Sequence, residues 1–380
     1  MTEEITPDTS DFDLENEDLE KEVNDEGLNE FFDPTQIRID TRKITIDLIL
    51  QRIKYNELDL APDFQRKPGI WTNDAKSRLI ESILIRIPLP AFYIDATEDD
   101  RWVVIDGLQR LTALKEFILD EEKPLKLTGL QYLTDLKDTT YKELHRKYQR
   151  RILETELILS TIEPGTPPAV KYNIFRRINT GGVPLSPQEI RNALNQGKST
   201  ELLRRLAKLP EFITVTQLDK SKRKERMVDQ EFVLGFLAYY LQGYDKYSQF
   251  ASRDMFFGET MKQLNQSLTE AESNKIEQDF KRAMQAAYEI FGDNAFRKIS
   301  RKASRRYPLN QALFEAWSTT LTKLDDAEIQ YLIEHKTELL DQFTELIDHN
   351  PDFLRSISQA SEQVKTRFIN IQKLVQNILP

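Results

Sequence analysis

Extended apolar runs are confined to the first half of this chain, and that confinement limits its fold more than any other feature. Ala91-Phe92-Tyr93-Ile94 and Arg101-Trp102-Val103-Val104-Ile105 flank the acidic turn Thr97-Glu98-Asp99-Asp100 and read as a β-hairpin. Glu156 to Ile162 reads as a further strand. From Pro168 onward the apolar residues recur at helical spacing, over 167–178, 186–208, 228–243, 260–290, 309–323 and 326–345. Earlier, 43–55 reads as a short helix after Thr45, with Ile46, Ile49, Leu50 and Ile53 on one face. Trp71-Thr72-Asn73 opens a second, with Leu79, Ile80, Ile83 and Leu84 at helical spacing, and Ile87-Pro88-Leu89-Pro90 stops it. No repeat period of about 20–50 residues recurs, so a solenoid is not expected. The expected class is α+β in the first half and α-helical in the second.

Charge divides the chain further. Over 380 residues the formal net charge is −10, yet residues 1–33 alone carry 14 acidic side chains against Lys21, leaving the remainder at about +3. An acidic segment with few large apolar side chains cannot offset its ordering entropy, so 1–36 is expected to be a disordered tail, either a solubilising leader or an occupant of a basic groove. Two folded parts come after it in this reading, 37–200 and 201–380. The absence of cysteine excludes disulfides, thiolate metal sites, iron–sulfur clusters and a cysteine nucleophile. No basic start or apolar stretch marks a secretory signal. The most apolar segment, Phe232 to Leu241, is roughly half the length needed to span a bilayer. A cytoplasmic location is expected, with no membrane partner.

Three places carry residues suited to chemistry. The strand at 101–105 runs into Asp106-Gly107-Leu108-Gln109-Arg110 and then a helix with Leu111, Leu114 and Ile118 on one face. Gly107 permits a tight turn, the helix amides suit an anion such as phosphate, Arg110 adds a forked cation, and Gln109 can orient a water or a base edge. The plainer alternative is a capping box, Asp106 with Gln109 three residues on, which would consume those amides. The second place is Phe175-Arg176-Arg177-Ile178-Asn179-Thr180-Gly181-Gly182. Val170, Ile174 and Ile178 form its buried seam, leaving Asn173, Arg176 and Arg177 nearer the surface. Its glycines allow close approach to a ligand, and Ser186-Pro187-Gln188-Glu189 starts a new helix. A helix–turn–helix corner is the alternative there. Because Glu189 sits in that first turn, a phosphate would meet Arg176 or the Gly181–Gly182 backbone instead. The third place is Asp63-Phe64-Gln65-Arg66 with Trp71, either a side chain reaching into a site or a surface loop.

Basic clusters at 145–151, 220–226 and 297–306 suit a nucleic-acid backbone, or are simply solvated faces. There is no phosphate-loop motif and no Gly-x-Ser-x-Gly elbow, and His145, His335 and His349 have no metal-ligand spacing.

Taken in order, Phe64-Gln65-Arg66 with Trp71, Glu81-Ser82-Ile83-Leu84 before Ile87-Pro88-Leu89-Pro90, DGLQRLTAL at 106–114 and FRRINTGGVPLSPQEIRNAL at 175–194 resemble one family. It is the N-terminal domain of the GmrSD type IV, modification-dependent restriction enzymes. Arg226 to Glu231, Phe291 to Phe296 and Asn310 to Trp317 resemble its helical continuation. The resemblance implies a ParB/sulfiredoxin-like core with an Asp-Gly-Gln-Gln-Arg motif, followed by an α-helical domain. Asp106, Gly107, Gln109 and Arg110 match that motif, and Leu108 departs from it.

The function implied by the resemblance is a nucleotide-binding, NTP-hydrolysing module of bacterial defence or DNA surveillance, a Mg²⁺-dependent nucleoside triphosphatase. In that reading Asp106 binds Mg²⁺ or orients water, Gln109 positions the water, and Arg110 and Arg66 hold phosphates. Gln65, Gly107, Arg176, Asn179, Thr180, Gly181 and Gly182 complete the nucleotide site. Arg110→Ala should then weaken nucleotide binding without unfolding the chain. A ParB-like DNA-binding or DNA-nicking protein, and a non-catalytic scaffold, are the alternatives. Residues 321–380 contain only His335 and His349, without the paired histidines of an HNH nuclease, so a separately encoded nuclease is an expected partner.

Overall fold

A computed structural model describes residues 37–60, 71–98, 101–178, 186–218, 227–358 and 363–380. The expected acidic tail, 1–36, lies outside the described residues. The fold is mixed α+β near the N-terminus followed by many helices, as expected, and it forms two compact units that meet in sequence between Leu194 and Asn195.

The first unit begins with strand β1 (Ile39–Thr45) and helix α1 (Ile46–Lys54). Thr45 caps α1, its hydroxyl accepting from the Leu48 amide at 3.3 Å, and the buried stripe is Ile46, Ile49, Leu50 and Ile53, as the periodicity predicts. A two-residue strand, β2 (Leu58–Asp59), precedes helix α2 (Asn73–Leu84), which Thr72 caps in the same manner. The predicted hairpin is β3 (Phe92–Asp95) and β4 (Trp102–Asp106), paired antiparallel. Helix α3 (Leu108–Ile118), helix α4 (Arg146–Glu154), strand β5 (Glu156–Ile162), helix α5 (Pro168–Ile178) and helix α6 (Pro187–Leu194) complete it.

The sheet order is β1-β5-β3-β4-β2, with β1 and β5 antiparallel, β5 and β3 parallel, and β4 and β2 parallel. Alternation along the strands sends Ile44, Leu157, Leu159, Phe92, Ile94, Val104 and Trp102 into one core with α1 to α4. On the opposite face Ile105 and Ile162 are buried, as are Val170, Ile174 and Phe175 of α5, which lies against β4. Burying the central strands on both faces is what makes β4 rigid enough to aim its last residue.

One carboxylate anchors a long connection. Glu81, buried on α2, accepts from the amides of Gln131, Tyr132 and Leu133 at 2.7–3.1 Å. Burial pushes its carboxyl up, but the three amide hydrogen bonds, helped by the charge of Arg78, outweigh that and hold it below its ordinary value of 4.5.

The second unit contains helices α7 (Lys198–Ala207), α8 (Pro210–Thr216), α9 (Val228–Gln242), α10 (Arg253–Ser267), α11 (Glu270–Phe291) and α12 (Gln311–Leu321). Helices α13 (Asp326–Glu334), α14 (Lys336–His349), α15 (Pro351–Ser358) and α16 (Val364–Ile378) come next. The apolar run at Phe232 to Leu241 is the buried heart of α9, and among the described residues no helix is long and apolar enough to cross a membrane. The continuous stretches expected at 186–208, 260–290 and 326–345 are each broken in two. At 260–290 the break is a Thr269–Glu272 capping box that starts a new helix. An ion triad lies in this unit's core, with Glu315 and Arg367 fully buried and Arg253 at its margin: Glu315 accepts from Arg367 at 2.7 Å and from Arg253 at 2.5 Å, and Arg367 also reaches the Tyr239 hydroxyl at 3.4 Å. Burial and the nearby Glu315 charge push the Tyr239 phenol far up. Gly235 makes room for the carboxylate, since a Cβ there would stand 2.5 Å from Glu315 Oε1.

Candidate functional site

Strand β4 buries Val104 and Ile105 and delivers Asp106 to its C-terminal end, where a register shift opposite Tyr93 and Ile94 loosens the ladder. Gly107 comes next with φ +101°, and a Cβ there would come within 2.4 Å of the Phe92 ring. The position therefore demands glycine twice, for its backbone angle and for its lack of bulk. Helix α3 begins at the next residue. Gly107 is its N-cap and no side chain caps it, so the anticipated Asp106–Gln109 capping box is not formed. The positive φ at Gly107 turns the chain so that Asp106 lies one residue too early to serve. The first-turn amides keep their hydrogen-bonding capacity and the positive end of the dipole.

The Asp106 carboxylate is instead held by Arg110, whose Nη2 donates to Oδ2 at 2.8 Å. The guanidinium expected to face a phosphate is turned inward. It donates to the Pro90 carbonyl and to the Ala91 carbonyl at 3.1 Å, and it lies 4.2 Å over the Phe92 ring. Its side chain is 11% exposed against 43% for Asp106, so the pair presents its acidic member to solvent. Burial draws the Arg110 guanidinium below the usual arginine range, and the Asp106 charge opposes that shift. The second carboxylate oxygen of Asp106 has no hydrogen-bond partner among the described residues, and the buried Gln109 Oε1 has none either. One free carboxylate oxygen and uncapped helix amides thus share one corner, with the buried, unpartnered Gln109 amide oxygen in the same first turn of α3. Magnesium is commonly held through a single carboxylate together with substrate phosphates, so this donor set suits that ion. Among the described residues no three His, Asp or Glu side chains converge to hold a metal without such help.

The structure brings Asp106, Gly107, Gln109 and Arg110 together. Arg176 is on α5, half-buried, with Arg177 exposed beside it. Asn173, expected nearer the surface, is buried. Helix α5 is tied to the hairpin by Lys171, whose Nζ lies 3.2 Å from Asp95 and 2.6 Å from the Thr97 hydroxyl. Gln65, Arg66, Asn179, Thr180, Gly181 and Gly182 lie outside the described residues. Ser186 and Glu189 do form a capping box, the Glu189 amide donating to Ser186 Oγ at 3.1 Å.

Sequence reasoning missed the polar cluster just beyond that cap. Gln188, Arg191 and Asn192 of α6 are all buried, and Gln188 bonds both others, at 3.0 and 2.8 Å. The available signal was the poverty of apolar residues in Pro187–Leu194: a helix with only Ile190, Ala193 and Leu194 to bury must bury something polar.

The basic clusters differ in kind. On α4, Arg146, Lys147 and Arg150 are exposed, while Arg151 donates to the Leu84 carbonyl at 2.7 Å. The cluster at 297–306 is not one solvated patch: Arg297 and Lys298 are buried, and Arg301 faces Glu345 and Asp341. The cluster at 220–226 lies outside the described residues.

Residues 46–196 match the family model described as GmrSD restriction endonuclease, N-terminal domain. The matched stretch is similar to that domain from α1 through α6 and includes the Asp106 corner. No curated protein matches the chain.

Proposed function

We propose that the GmrSD-type domain of this chain binds a nucleoside triphosphate with Mg²⁺ at the Asp106 corner and hydrolyses it as the responsive module of a defence system. The observation that carries this reading is the division of labour between two residues: Arg110 is consumed in fixing the turn, and Asp106 is left exposed with one oxygen free beside uncapped helix amides. Phosphoryl transfer is catalysed mainly by positioning and charge neutralisation, so a rigid acidic group next to an anion-binding helix end suits it. Asp106 would hold Mg²⁺, which when bound neutralises charge on the phosphates. The α3 amides would receive phosphate oxygens, and Gln109 would orient water through its free amide oxygen. Arg110 acts as a positioning residue in this scheme, setting the carboxylate and holding a positive charge behind it.

Thermal unfolding of the full chain with ATP, GTP, CTP and UTP, each with and without Mg²⁺, tests the reading. A ligand that binds only the folded state at about 100 times its Kd stabilises it by about 2.7 kcal/mol, a readily measured rise in Tm. A Mg²⁺-dependent rise with at least one nucleotide, lost in Asp106→Asn, is expected. No shift with any of the four overturns the proposal.

A further inference from the structure

We infer that strand β1 is an interaction edge whose occupant is a second copy of this chain, the two β1 strands pairing antiparallel about a two-fold axis at Thr41. The inference goes beyond the nucleotide reading and does not depend on it.

Strand β1 lies at one end of the sheet and pairs only with β5 among the described residues. Open edges of this kind are ordinarily blunted by brevity, a bulge, a proline or a cover. β1 runs seven residues in unbroken register with β5, contains no proline, and exposes Ile39 to Lys43. The ladder fixes the direction of its backbone groups. The Glu163 amide donates to the Arg38 carbonyl at 2.9 Å and the Ile46 amide to the Thr155 carbonyl at 3.0 Å, both in step with the β1–β5 register. Antiparallel pairs alternate, so Asp40, Arg42 and Ile44 spend their amides and carbonyls on β5, while those of Ile39, Thr41 and Lys43 point out of the sheet.

The side chains of β1 select the strand that fits. A two-fold axis perpendicular to the sheet keeps each face on its own side, so side chains of the same face meet across the seam. With the axis at Thr41, the outward backbone groups of Thr41 meet those of the partner's Thr41, and those of Ile39 meet those of the partner's Lys43, which continues the ladder. Asp40 then stands opposite the partner's Arg42, and Arg42 opposite the partner's Asp40. Within one chain these two residues are loosely joined, at 3.7 Å, with side chains 58% and 43% exposed. Arg42 also donates to Thr161 and Glu163, each at 3.1 Å, which holds its guanidinium at the edge. On the other face the Thr41 hydroxyl lies 3.3 Å from Ser160 Oγ, and pairing extends that hydroxyl row into the partner. An axis at Asp40, Arg42 or Lys43 would set that charged residue against its own copy, whereas an axis at Thr41 pairs opposite charges. The strand is thus complementary in charge to itself, in one register. A seam this short belongs with the small interfaces, below about 1,200 Å², so the dimer is weak and governed by concentration.

Sedimentation velocity of the full chain over a roughly hundredfold range of concentration tests this, and the dimer fraction should rise along it. Thr41→Pro removes an outward amide and none bonded to β5, so it should abolish the dimer while circular dichroism shows the fold retained. Asp40→Arg and Arg42→Asp should each weaken self-association about tenfold or more by placing like charges opposite each other. An equal mixture of those two variants should recover the dimer, because every cross-seam pair is then opposite in sign. A chain that is monomeric at every concentration overturns the inference, as does a dimer that survives Thr41→Pro or a mixture that stays monomeric. Should Arg42→Asp unfold through loss of its Thr161 and Glu163 bonds, Thr41→Pro and Asp40→Arg decide. The nucleotide-induced Tm shift should persist in Thr41→Pro, which separates failure of this inference from failure of the nucleotide reading.

Discussion

Arg110 and Asp106 are joined across the first turn of α3, 2.8 Å apart, with the cation nearly buried and the anion in solvent. The pair inverts the roles expected from the motif alone: the arginine serves the fold and the aspartate serves the surface. Asp106→Asn should cost about 1 kcal/mol of stability, because it removes the carboxylate partner of a nearly buried guanidinium that the Pro90 and Ala91 carbonyls still hold, and should abolish Mg²⁺-dependent nucleotide binding.

Arg110→Ala behaves differently. The change would leave the Pro90 and Ala91 carbonyls without their donor and remove a cation stacked on Phe92, at an expected cost of about 2–4 kcal/mol by chemical denaturation. What does not hold is the premise of an exposed side chain behind the expectation for this variant, because Arg110 is packed, at 11% exposure. Arg110→Lys should recover only part of the loss, since one ammonium cannot reproduce the fork.

Gly107→Ala should destabilise the first unit by about 2–4 kcal/mol, combining a disfavoured positive φ with the collision on Phe92. Urea titration of the full chain would resolve it. The same variant should also lose nucleotide binding, because the turn sets Asp106.

Acid should release the Gln131–Leu133 segment. The Glu81 carboxyl is held below 4.5 in the folded state, so its stabilising contribution is complete above that pH and is lost as pH falls through the lowered value. Hydrogen exchange of the amides at 131–133 should accelerate in that acid window. In Glu81→Gln the acceleration should already be present at neutral pH and vary little with acid.

In the helical unit, Glu315→Gln should cost about 3–5 kcal/mol, because it leaves the buried Arg367 guanidinium and the nearly buried Arg253 facing a neutral amide. Combining it with Arg367→Met should restore part of the loss, measured by the Tm of the single and double variants.

Local chemistry was legible in the sequence. Thr45 and Thr72 announced their helices, and the hairpin and the strand–glycine–helix at 106–110 lie where alternation and turn residues put them. The misread features are those decided by distant partners. Strand β1 escaped notice because Ile39 to Lys43 are exposed on both faces of an edge strand, leaving no alternation to read. Glu81 bonds amides about 50 residues away, and the inward turn of Arg110 depends on carbonyls about 20 residues before it, separations that no local pattern encodes. The capping box was a fair inference from spacing alone, undone by a single glycine angle.

The notch at Gly235 sets a limit on drift in the helical unit. A lone methyl added there would press on the anion that reconciles two neighbouring cations, so a mild exchange in appearance would strike where opposite charges meet in an oily interior.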